Sequence, residues 1–532
     1  MVFLSLFVLN SAVAFIYNIA LKDVYTGLLK RLIPCIISSG SVSLLLTVTA
    51  YHIHKYLRIN LYGAIIGLTL LIVCVESFLL RNFHTLLMPS CFMAYLESTP
   101  NETAEFLSAY ATPTTLMLPI LLFSAGMILF FFRKRIASVP FPAWCRSRKF
   151  TYLSGSILLV AYAGLNYYAH AIHHWTSLPS LSATERAIRS YAKGRESSEQ
   201  CRLFTQMLQE TPPEITANRS SIPYVVIVMG ESASRRHLHA YGYPLPTSPH
   251  ADRRLDAGEM LRFDRVQTPS AITTVALRLN MSFFNRQPGK EWHQYHTLPS
   301  VMAAAGYETW WLSNQEGFND QNDNPIVSIA RTSSSVTFTH KMLNTEHRGY
   351  YDSELLPLLD AHLAGGGQQK RFIVLHQIGS HTKYAFRYPP SFQKFGSEDI
   401  TGHGNDPRIR QTIAEYDNSI LYNDFVNDSI LHRFEDKEAI VFILSDHGEE
   451  VYDTRDMHGH ALDNPSLPML EIPFFVWSSA SFKERHPQLW QRISASVHKE
   501  FNTSQLIHTI MDVCGIETKD YQAEESLFHQ PS

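Results

Sequence analysis

The chain has 532 residues, with 45 basic and 48 acidic side chains and a formal net charge of −3. This near balance excludes the strongly basic composition typical of nucleic-acid-binding proteins, so we expect no nucleic acid partner. The length predicts two or more domains. Composition changes along the chain: apolar stretches fill the first 170 residues, and the remainder has the composition of a water-soluble domain.

Five apolar stretches in the first part each approach the about 20 residues that a membrane-crossing helix needs. They are Val2–Leu21, Leu32–Tyr51, Leu61–Leu80, Thr114–Phe132 and Tyr152–Ala169. A cleaved signal peptide is the alternative for the first stretch, but no charged segment precedes it and four more stretches follow. We therefore predict a transmembrane domain of five helices.

Basic residues in the loops predict the orientation of these helices. Six of them lie between Arg133 and Lys149, which places that loop in the cytoplasm, whereas the 81–113 loop holds only Arg81. Lys22, Lys30 and Arg31 disagree with this assignment, but the 133–149 loop carries the larger charge. The N-terminus is then inside and the C-terminal domain outside. The predicted domains are 1–170 (transmembrane), 171–220 (connector with interfacial helices or helices packed on the domain) and 221–532 (catalytic).

Short apolar strands alternate with helical stretches after residue 221. The predicted strands are 223–229, 308–313, 372–378, 439–444 and 472–477, and the predicted helices are 298–305, 353–363, 409–432 and 503–512. Such alternation is typical of an α/β domain with a mainly parallel sheet flanked by helices.

Chemically active residues follow two of these strands. Asp446 and His447 come directly after 439–444, and Glu231 follows 223–229. Ligands bind beyond the carboxyl ends of strands in open α/β sheets, and carboxylate and imidazole groups are ligands that Zn²⁺ accepts. The alternative is a strand end at which Asp446 only receives backbone N–H groups. A third segment, 271–278, offers two adjacent hydroxyls, Thr273 and Thr274.

The ordered set of these motifs resembles the phosphoethanolamine transferases of Gram-negative inner membranes, within the alkaline phosphatase and sulfatase-like superfamily. The residues that carry the resemblance are Gly230-Glu231-Ser232, Tyr241-Gly242-Tyr243-Pro244, Thr247-Ser248-Pro249, Thr274, Gly379-Ser380-His381, Tyr416-Asp417-Asn418, Tyr422, 445–449 and His458-Gly459. The likeness extends over nearly the whole chain, including the membrane part.

The resemblance implies a zinc site in which Glu231, Thr274, Asp446 and His447 are the ligands and Thr274 is the nucleophile, with Thr273 as its rival. One Zn²⁺ is expected and a second is conceivable, with His460 an open candidate beside His458. The resemblance also implies that His381 and His458 contact the phosphate, and Arg278, Gln315 and Arg387 are further candidates for substrate binding. For Arg278 an ordinary structural role is an equal alternative.

The same resemblance implies phosphatidylethanolamine as donor and lipopolysaccharide, at a core sugar or lipid A, or another periplasmic glycan as acceptor. The expected protein is a monomeric, multi-pass enzyme of the bacterial inner membrane with its catalytic domain in the periplasm. A zinc-dependent phosphodiesterase or sulfatase-like hydrolase of the same superfamily is the alternative. Threonine cannot become formylglycine, which disfavours sulfatase chemistry.

Two features depart from the lipid A-modifying members of that family. Those members carry a lysine in the segment that matches 314–319, where this chain has Gln315 and no lysine. They also have many periplasmic cysteines, whereas this chain places only Cys91, Cys201 and Cys514 outside. A bridge between Cys201 and Cys514 and free thiols are both open alternatives.

Overall fold

The structure is a computed structural model that describes residues 55–83, 111–132 and 199–530, with gaps at 286–289, 318–323, 342–350, 366–369, 403–405 and 461–464, and isolated positions between 103 and 164. The chain forms two compact units. The first comprises Met1–Leu96 and Leu107–Gly194, and the second comprises Glu97–Phe106 and Arg195–Ser532. The predicted boundaries at residues 170 and 220 remain predictions.

Two long helices are described in the first unit, α1 (Lys55–Phe83) and α2 (Pro113–Phe131). They contain the third and fourth predicted spans, and Leu70 packs against Gly126 so closely that a Cβ there would overlap it. Within the described residues, no helix meets the length and hydropathy expected of a membrane span. The first and second predicted spans lie outside the described residues, and the fifth is described only at isolated positions.

The second unit is built on a seven-stranded sheet with the strand order β3-β11-β8-β2-β7-β5-β6. The strands are β1 (Ile215–Asn218), β2 (Tyr224–Gly230), β3 (Met260–Arg262), β4 (Arg265–Gln267), β5 (Glu308–Gly317), β6 (Ser335–Lys341), β7 (Arg371–His376), β8 (Ala439–Ser445), β9 (Glu450–Val451), β10 (His458–Gly459), β11 (Phe474–Ser478), β12 (Glu500–Asn502) and β13 (Ile516–Thr518). The strands β8, β2, β7, β5 and β6 are parallel, and β11 is antiparallel to both of its neighbours. The five predicted strands and the mainly parallel sheet are therefore confirmed.

Helices cover both faces of this sheet. They are α3 (Pro249–Asp256), α4 (Thr273–Asn280), α5 (Leu298–Ala304), α6 (Pro325–Ala330), α7 (Leu355–Ala364), α8 (Pro407–His432), α9 (Leu467–Leu470), α10 (Ala480–Arg485), α11 (Pro487–Ser494) and α12 (Leu506–Cys514). The four predicted helices correspond to α5, α7, α8 and α12. Short 3-10 turns occur at Arg235–His237, His239–Tyr241, Trp292–Gln294, Asp352–Glu354, Tyr384–Phe386, Pro390–Phe392, Thr503–Gln505 and Ala523–Glu525.

Alternating side chains of the central strands enter two separate hydrophobic cores. On β2, Val225 and Ile227 face the core that also holds α12, whereas Val226 and Val228 face the core under α8. Side chains of a strand point alternately to its two faces, so a strand covered on both sides is apolar throughout. This double burial explains the continuous apolar runs that made β2, β7 and β8 recognisable in the sequence.

The described part of the connector packs on the second unit. Residues 199–210 are helical, and Cys201 and Phe204 are fully buried in its core, where Phe204 stacks on Trp292 at 4.7 Å. Further on, β1 pairs with β13. The alternative of helices packed on the domain therefore describes this part of the connector. Cys201 and Cys514 are both buried and no bond joins their sulfur atoms, so the alternative of a bridge between them is wrong.

Candidate metal centre

Two adjacent parallel strands, β2 and β8, bring the predicted ligands to one edge of the sheet. Strand β2 lies between β7 and β8, and its last residue, Gly230, pairs with Ser445. The residues that follow are therefore neighbours: Glu231 after β2, and Asp446 and His447 after β8. All three side chains are buried, and each offers a ligand atom within 4.8 Å of the others. The expectation that these three residues form one group agrees with the geometry.

A threonine hydroxyl completes this group, and it belongs to Thr273. Its Oγ1 lies 3.1 Å from Oε2 and 3.3 Å from Oε1 of Glu231, and 3.3 Å from Nε2 of His447. The same Nε2 lies 3.0 Å from Oε1 of Glu231 and 3.7 Å from Oδ2 of Asp446. Oxygen and nitrogen ligands about 2.0–2.2 Å from a tetrahedral zinc ion are separated from each other by about 3.3 Å. The spacing of the four side chains therefore fits one zinc ion.

This geometry favours Thr273 over Thr274 as the threonine of the group. Helix α4 begins at Thr273, after the extended residue Ile272, and the next residue of a helix points about 100° away. Among the described residues, the Thr274 hydroxyl makes no hydrogen bond to Glu231, Asp446 or His447. The rival that the sequence offered, Thr273, occupies the place expected of the ligand and nucleophile.

The hydrogen bonds around the group leave its ligand atoms available. Nδ1 of His447 donates to the carbonyl of Gly448 at 2.8 Å, so Nε2 is the nitrogen that faces the group and would bind a metal ion once it has lost its proton. Oδ1 of Asp446 accepts the N–H groups of His447 at 2.6 Å and Ser232 at 3.3 Å. Its Oδ2 is buried without a hydrogen-bond partner among the described residues. Such an orphaned buried oxygen is costly unless a cation binds it, which again fits a metal ion.

The charges of the group are strongly coupled. Burial by itself would lower the pKa of His447, but Asp446 and Glu231 raise it to about 10. Burial and the neighbouring Glu231 raise the pKa of Asp446 to about 8. Burial also opposes ionisation of Glu231, but His447 holds the pKa of that carboxyl below its ordinary value. Two carboxylates thus share one imidazole in a buried space, and a divalent cation would neutralise the excess negative charge.

Gln315 supports the group from the neighbouring strand β5. Its Nε2 donates to Oε2 of Glu231 at 3.3 Å and to the carbonyl of Gln377 at 3.2 Å. The structure thus places Gln315 against a ligand carboxylate, where it orients Glu231. Its predicted contact with substrate remains a prediction.

A second group of possible ligands adjoins the first and consists of His447, Glu449 and His460. Glu449 is buried and accepts Nδ1–H of His460 at 2.8 Å and the hydroxyl of Tyr384 at 2.8 Å. The rings of His447 and His460 are 4.3 Å apart, centre to centre. The structure therefore brings His460 beside the metal group.

The two predicted phosphate-binding histidines lie around this second group. His381 follows β7 and its ring is 6.5 Å from that of His460. His458, on β10, contacts the hydroxyl of Tyr452 through Nδ1 at 3.1 Å, and its ring is 6.2 Å from that of Tyr384. Their roles toward phosphate remain predictions.

The two predicted arginines have structural contacts. Arg278 donates to the carbonyl of Thr274 at 3.1 Å and its guanidinium lies 6.0 Å from the ring centre of Trp292. Arg387 is 1% exposed and donates to the carbonyls of His381 at 3.1 Å and Thr382 at 2.9 Å. Arg387 therefore holds the loop that carries His381, and its predicted contact with phosphate remains a prediction.

Gly379 holds the same loop against Glu231. Its φ is +56°, and an added Cβ would lie 2.6 Å from the backbone nitrogen of Glu231.

Gly242 has a φ of +98° but open space around it, so it is a matched control for a substitution at Gly379. We expect Gly242→Ala to cost about 1–2 kcal/mol of unfolding free energy, since only the left-handed backbone is strained. Gly379→Ala adds an overlap worth about 1–3 kcal/mol more and should also displace Glu231. Thermal unfolding of both variants tests this; equal losses would contradict it.

The fold and the site together define the class of this protein. The family description "Sulfatase" matches residues 223–516, more than half of the chain, and the chain belongs to this family. Phosphoethanolamine transferase EptC of Escherichia coli (strain K12) is 28% identical over 491 residues, covering 88% of this chain and 82% of that protein. The resemblance recognised in the sequence is thereby confirmed.

Two solved structures are similar to this chain. The C-terminal periplasmic domain of E. coli EptC in complex with Zn is 29% identical, with a TM-score of 0.56, and the match covers 60% of this chain and 90% of that domain. The integral membrane protein lipooligosaccharide phosphoethanolamine transferase A (EptA) from Neisseria meningitidis is 21% identical, with a TM-score of 0.69 over 99% of this chain and 97% of that one. The second similarity concerns the fold of the whole chain.

Proposed function

We propose that this protein is a zinc-dependent phosphoethanolamine transferase that takes its donor group from phosphatidylethanolamine. The observation that carries the proposal is the hydroxyl of Thr273, which lies 3.1–3.3 Å from ligand atoms of Glu231 and His447 in a buried site. Curated relatives that match along most of the chain are named phosphoethanolamine transferases. One zinc ion would be held by Glu231, Thr273, Asp446 and His447, and the second group offers His460 and Glu449 for another.

The proposed reaction has two steps with a covalent intermediate on Thr273. The oxygen of Thr273 bonds to the donor phosphorus, the bond from phosphorus to the glycerol oxygen breaks, and diacylglycerol leaves with a proton. The oxygen of an acceptor hydroxyl then bonds to the same phosphorus, the bond from phosphorus to the threonine oxygen breaks, and the acceptor's proton passes to that oxygen. A bound zinc ion supplies the lowered hydroxyl pKa and the positive charge that both steps need.

The surrounding residues have separate tasks in this scheme. Gln315 and the backbone N–H of Ser232 hold the two carboxylates in place, and the Gly448 carbonyl fixes the tautomer of His447. His381 and His458 are proposed to contact the phosphate oxygens of donor and intermediate. Burial of the group excludes water, which favours transfer to an acceptor over hydrolysis.

We also propose a place and partners for the reaction. The lipid donor and the apolar N-terminal part of the chain support a multi-pass protein of the bacterial inner membrane with its catalytic domain in the periplasm. The acceptor is proposed to be lipopolysaccharide, at a core sugar or lipid A, or another periplasmic glycan, and the enzyme is proposed to act as a monomer.

The proposal is tested with the purified full-length protein and phosphatidylethanolamine labelled in the ethanolamine. With lipopolysaccharide present, we expect label in the acceptor and diacylglycerol as the second product, identified by mass spectrometry. Removal of zinc with a chelator should stop both products, and added zinc should restore them. Label released only as free phosphoethanolamine, with or without acceptor, would instead favour the hydrolase.

A further inference from the structure

Tyr416 contacts the backbone next to the metal group, and among the described residues its hydroxyl makes no hydrogen bond to a ligand side chain. It is on the long helix α8, and its ring is fully buried. Its hydroxyl donates to the carbonyl of Ser232 at 2.7 Å and accepts the N–H of Ser234 at 2.9 Å. The hydroxyl therefore closes the turn that follows Glu231, because it binds the backbone on both sides of Ala233.

The turn that Tyr416 closes is strained. Ser232 has a φ of +57°, a left-handed conformation that costs a non-glycine residue about 1–2 kcal/mol. Such a conformation persists only where the surroundings enforce it, and such residues cluster at functional sites. The two hydrogen bonds of the Tyr416 hydroxyl supply that enforcement directly at Ser232 and Ser234.

The strained conformation orients both carboxylate ligands. The N–H of Ser232 donates to Oδ1 of Asp446 at 3.3 Å, and its Oγ donates to Oε1 of Glu231 at 3.0 Å. Oδ1 of Asp446 is thereby occupied, so Oδ2 is the oxygen that faces the group. One residue in one backbone conformation thus sets the direction of two ligands that come from different strands.

The ring of Tyr416 is itself held from two sides. The rings of His237 and Tyr384 each pack edge-on at 4.9 Å. His237 is bound to Asp417 at 2.7 Å, and the hydroxyl of Tyr384 donates to Glu449 of the second ligand group at 2.8 Å. Tyr416 therefore has one available position, and its hydroxyl is fixed relative to both ligand groups.

From these contacts we infer that Tyr416 is a positioning residue of the metal centre: its hydroxyl holds the left-handed turn at Ser232, which orients Glu231 and Asp446 for zinc. The inference rests on the proposed zinc centre. Partners of this kind, which hold ligands and not the metal, change metal affinity by about 10- to 100-fold when they are removed. The effect on catalysis follows from the misplaced ligands.

The test compares Tyr416→Phe with Tyr422→Phe in the full-length protein. Tyr422 is also a buried tyrosine of α8, but it packs against Tyr351 and Phe392, away from the metal group. Zinc affinity is measured by competition with a chelator, and folding by thermal unfolding without zinc. We expect the zinc Kd of Tyr416→Phe to rise about 10- to 100-fold, whereas Tyr422→Phe keeps the wild-type value.

A second variant guards against a Tyr416→Phe protein that folds poorly. Glycine adopts the left-handed conformation readily, so Ser232→Gly removes the strain that Tyr416 opposes. The zinc affinity lost in the double variant should then be less than the product of the two single losses.

Three results would overturn the inference. An unchanged zinc Kd in Tyr416→Phe would overturn this inference and leave the proposed metal centre standing. An equal loss of zinc affinity in Tyr422→Phe would have the same consequence. A wild-type protein that binds no zinc would overturn the proposed metal centre and this inference with it.

Discussion

Thr273→Ala is expected to abolish phosphoethanolamine transfer, whereas Thr274→Ala is expected to retain most of it. The two residues are adjacent threonines at the start of the same helix, so the pair is closely matched. Of these two hydroxyls, that of Thr273 lies within hydrogen-bond distance of Glu231 and His447. Removal of a covalent nucleophile lowers kcat by about 10³-fold or more, because no other group can carry the transferred phosphoryl moiety.

A serine at the same position provides the conservative control. Thr273→Ser keeps the hydroxyl oxygen and should keep measurable transfer, reduced because the lost methyl group allows other rotamers. The measurement is the initial rate of label transfer from phosphatidylethanolamine to lipopolysaccharide for all three variants. Normal transfer by Thr273→Ala, or loss of transfer in Thr274→Ala alone, would show that the sequence-based assignment of Thr274 was right and that the contacts of Thr273 are structural.

Asp446→Asn is expected to remove zinc together with activity. The change keeps the size of the side chain, but the neutral amide contributes no negative charge, and its NH₂ group cannot be a ligand. Oδ2 of Asp446 is buried and has no hydrogen-bond partner among the described residues, so we assign it the role of a metal ligand. We expect zinc affinity to fall by more than about 100-fold, beyond what the loss of a supporting hydrogen bond produces.

Asp424→Asn is the matched control for this experiment. Asp424 is also buried, and it accepts the N–H groups of His250 at 2.7 Å and Ala251 at 2.9 Å at the start of α3. An effect on stability is expected from this variant, but no loss of zinc. Elemental analysis of both proteins after dialysis decides the matter: full zinc occupancy in Asp446→Asn would exclude Asp446 from the metal centre.

The sheet was predictable because its strands are buried on both faces. Strands β2, β7 and β8 are continuous apolar runs that end at polar residues, and that pattern located Glu231, Asp446 and His447 together with the edge at which they meet. The edge strands β3 and β6 were not predicted. Strand β3 has only three residues, and β6 is a stretch with alternating threonines, so both give a weak periodic signal.

The nucleophile could not be assigned from the sequence because two threonines stand side by side. The distinction depends on where α4 begins, and helix boundaries are the least certain feature of a sequence pattern. Helix α4 has only eight residues, too few for a clear apolar period. A start at Thr273 directs that side chain to the metal group and turns Thr274 away from it.

The supporting contacts were equally invisible in the sequence. Tyr416 and Ser232 are 184 residues apart, yet they share a hydrogen bond, and the strain at Ser232 is a property of its backbone. The sequence likewise gave no sign that the buried guanidinium of Arg387 donates to the carbonyls of His381 and Thr382. The type of a residue suggests what it can do, but its contacts in the folded chain decide which groups it binds.

The central claim is that phosphoethanolamine is carried on Thr273 between donor and acceptor. The most direct measurement is intact-protein mass spectrometry of the zinc-loaded full-length enzyme after addition of phosphatidylethanolamine without acceptor, followed by peptide fragmentation. We predict a single phosphoethanolamine adduct on the oxygen of Thr273, which disappears when lipopolysaccharide is added. An adduct on Thr274, or the absence of any adduct in an enzyme that transfers normally, would contradict the account.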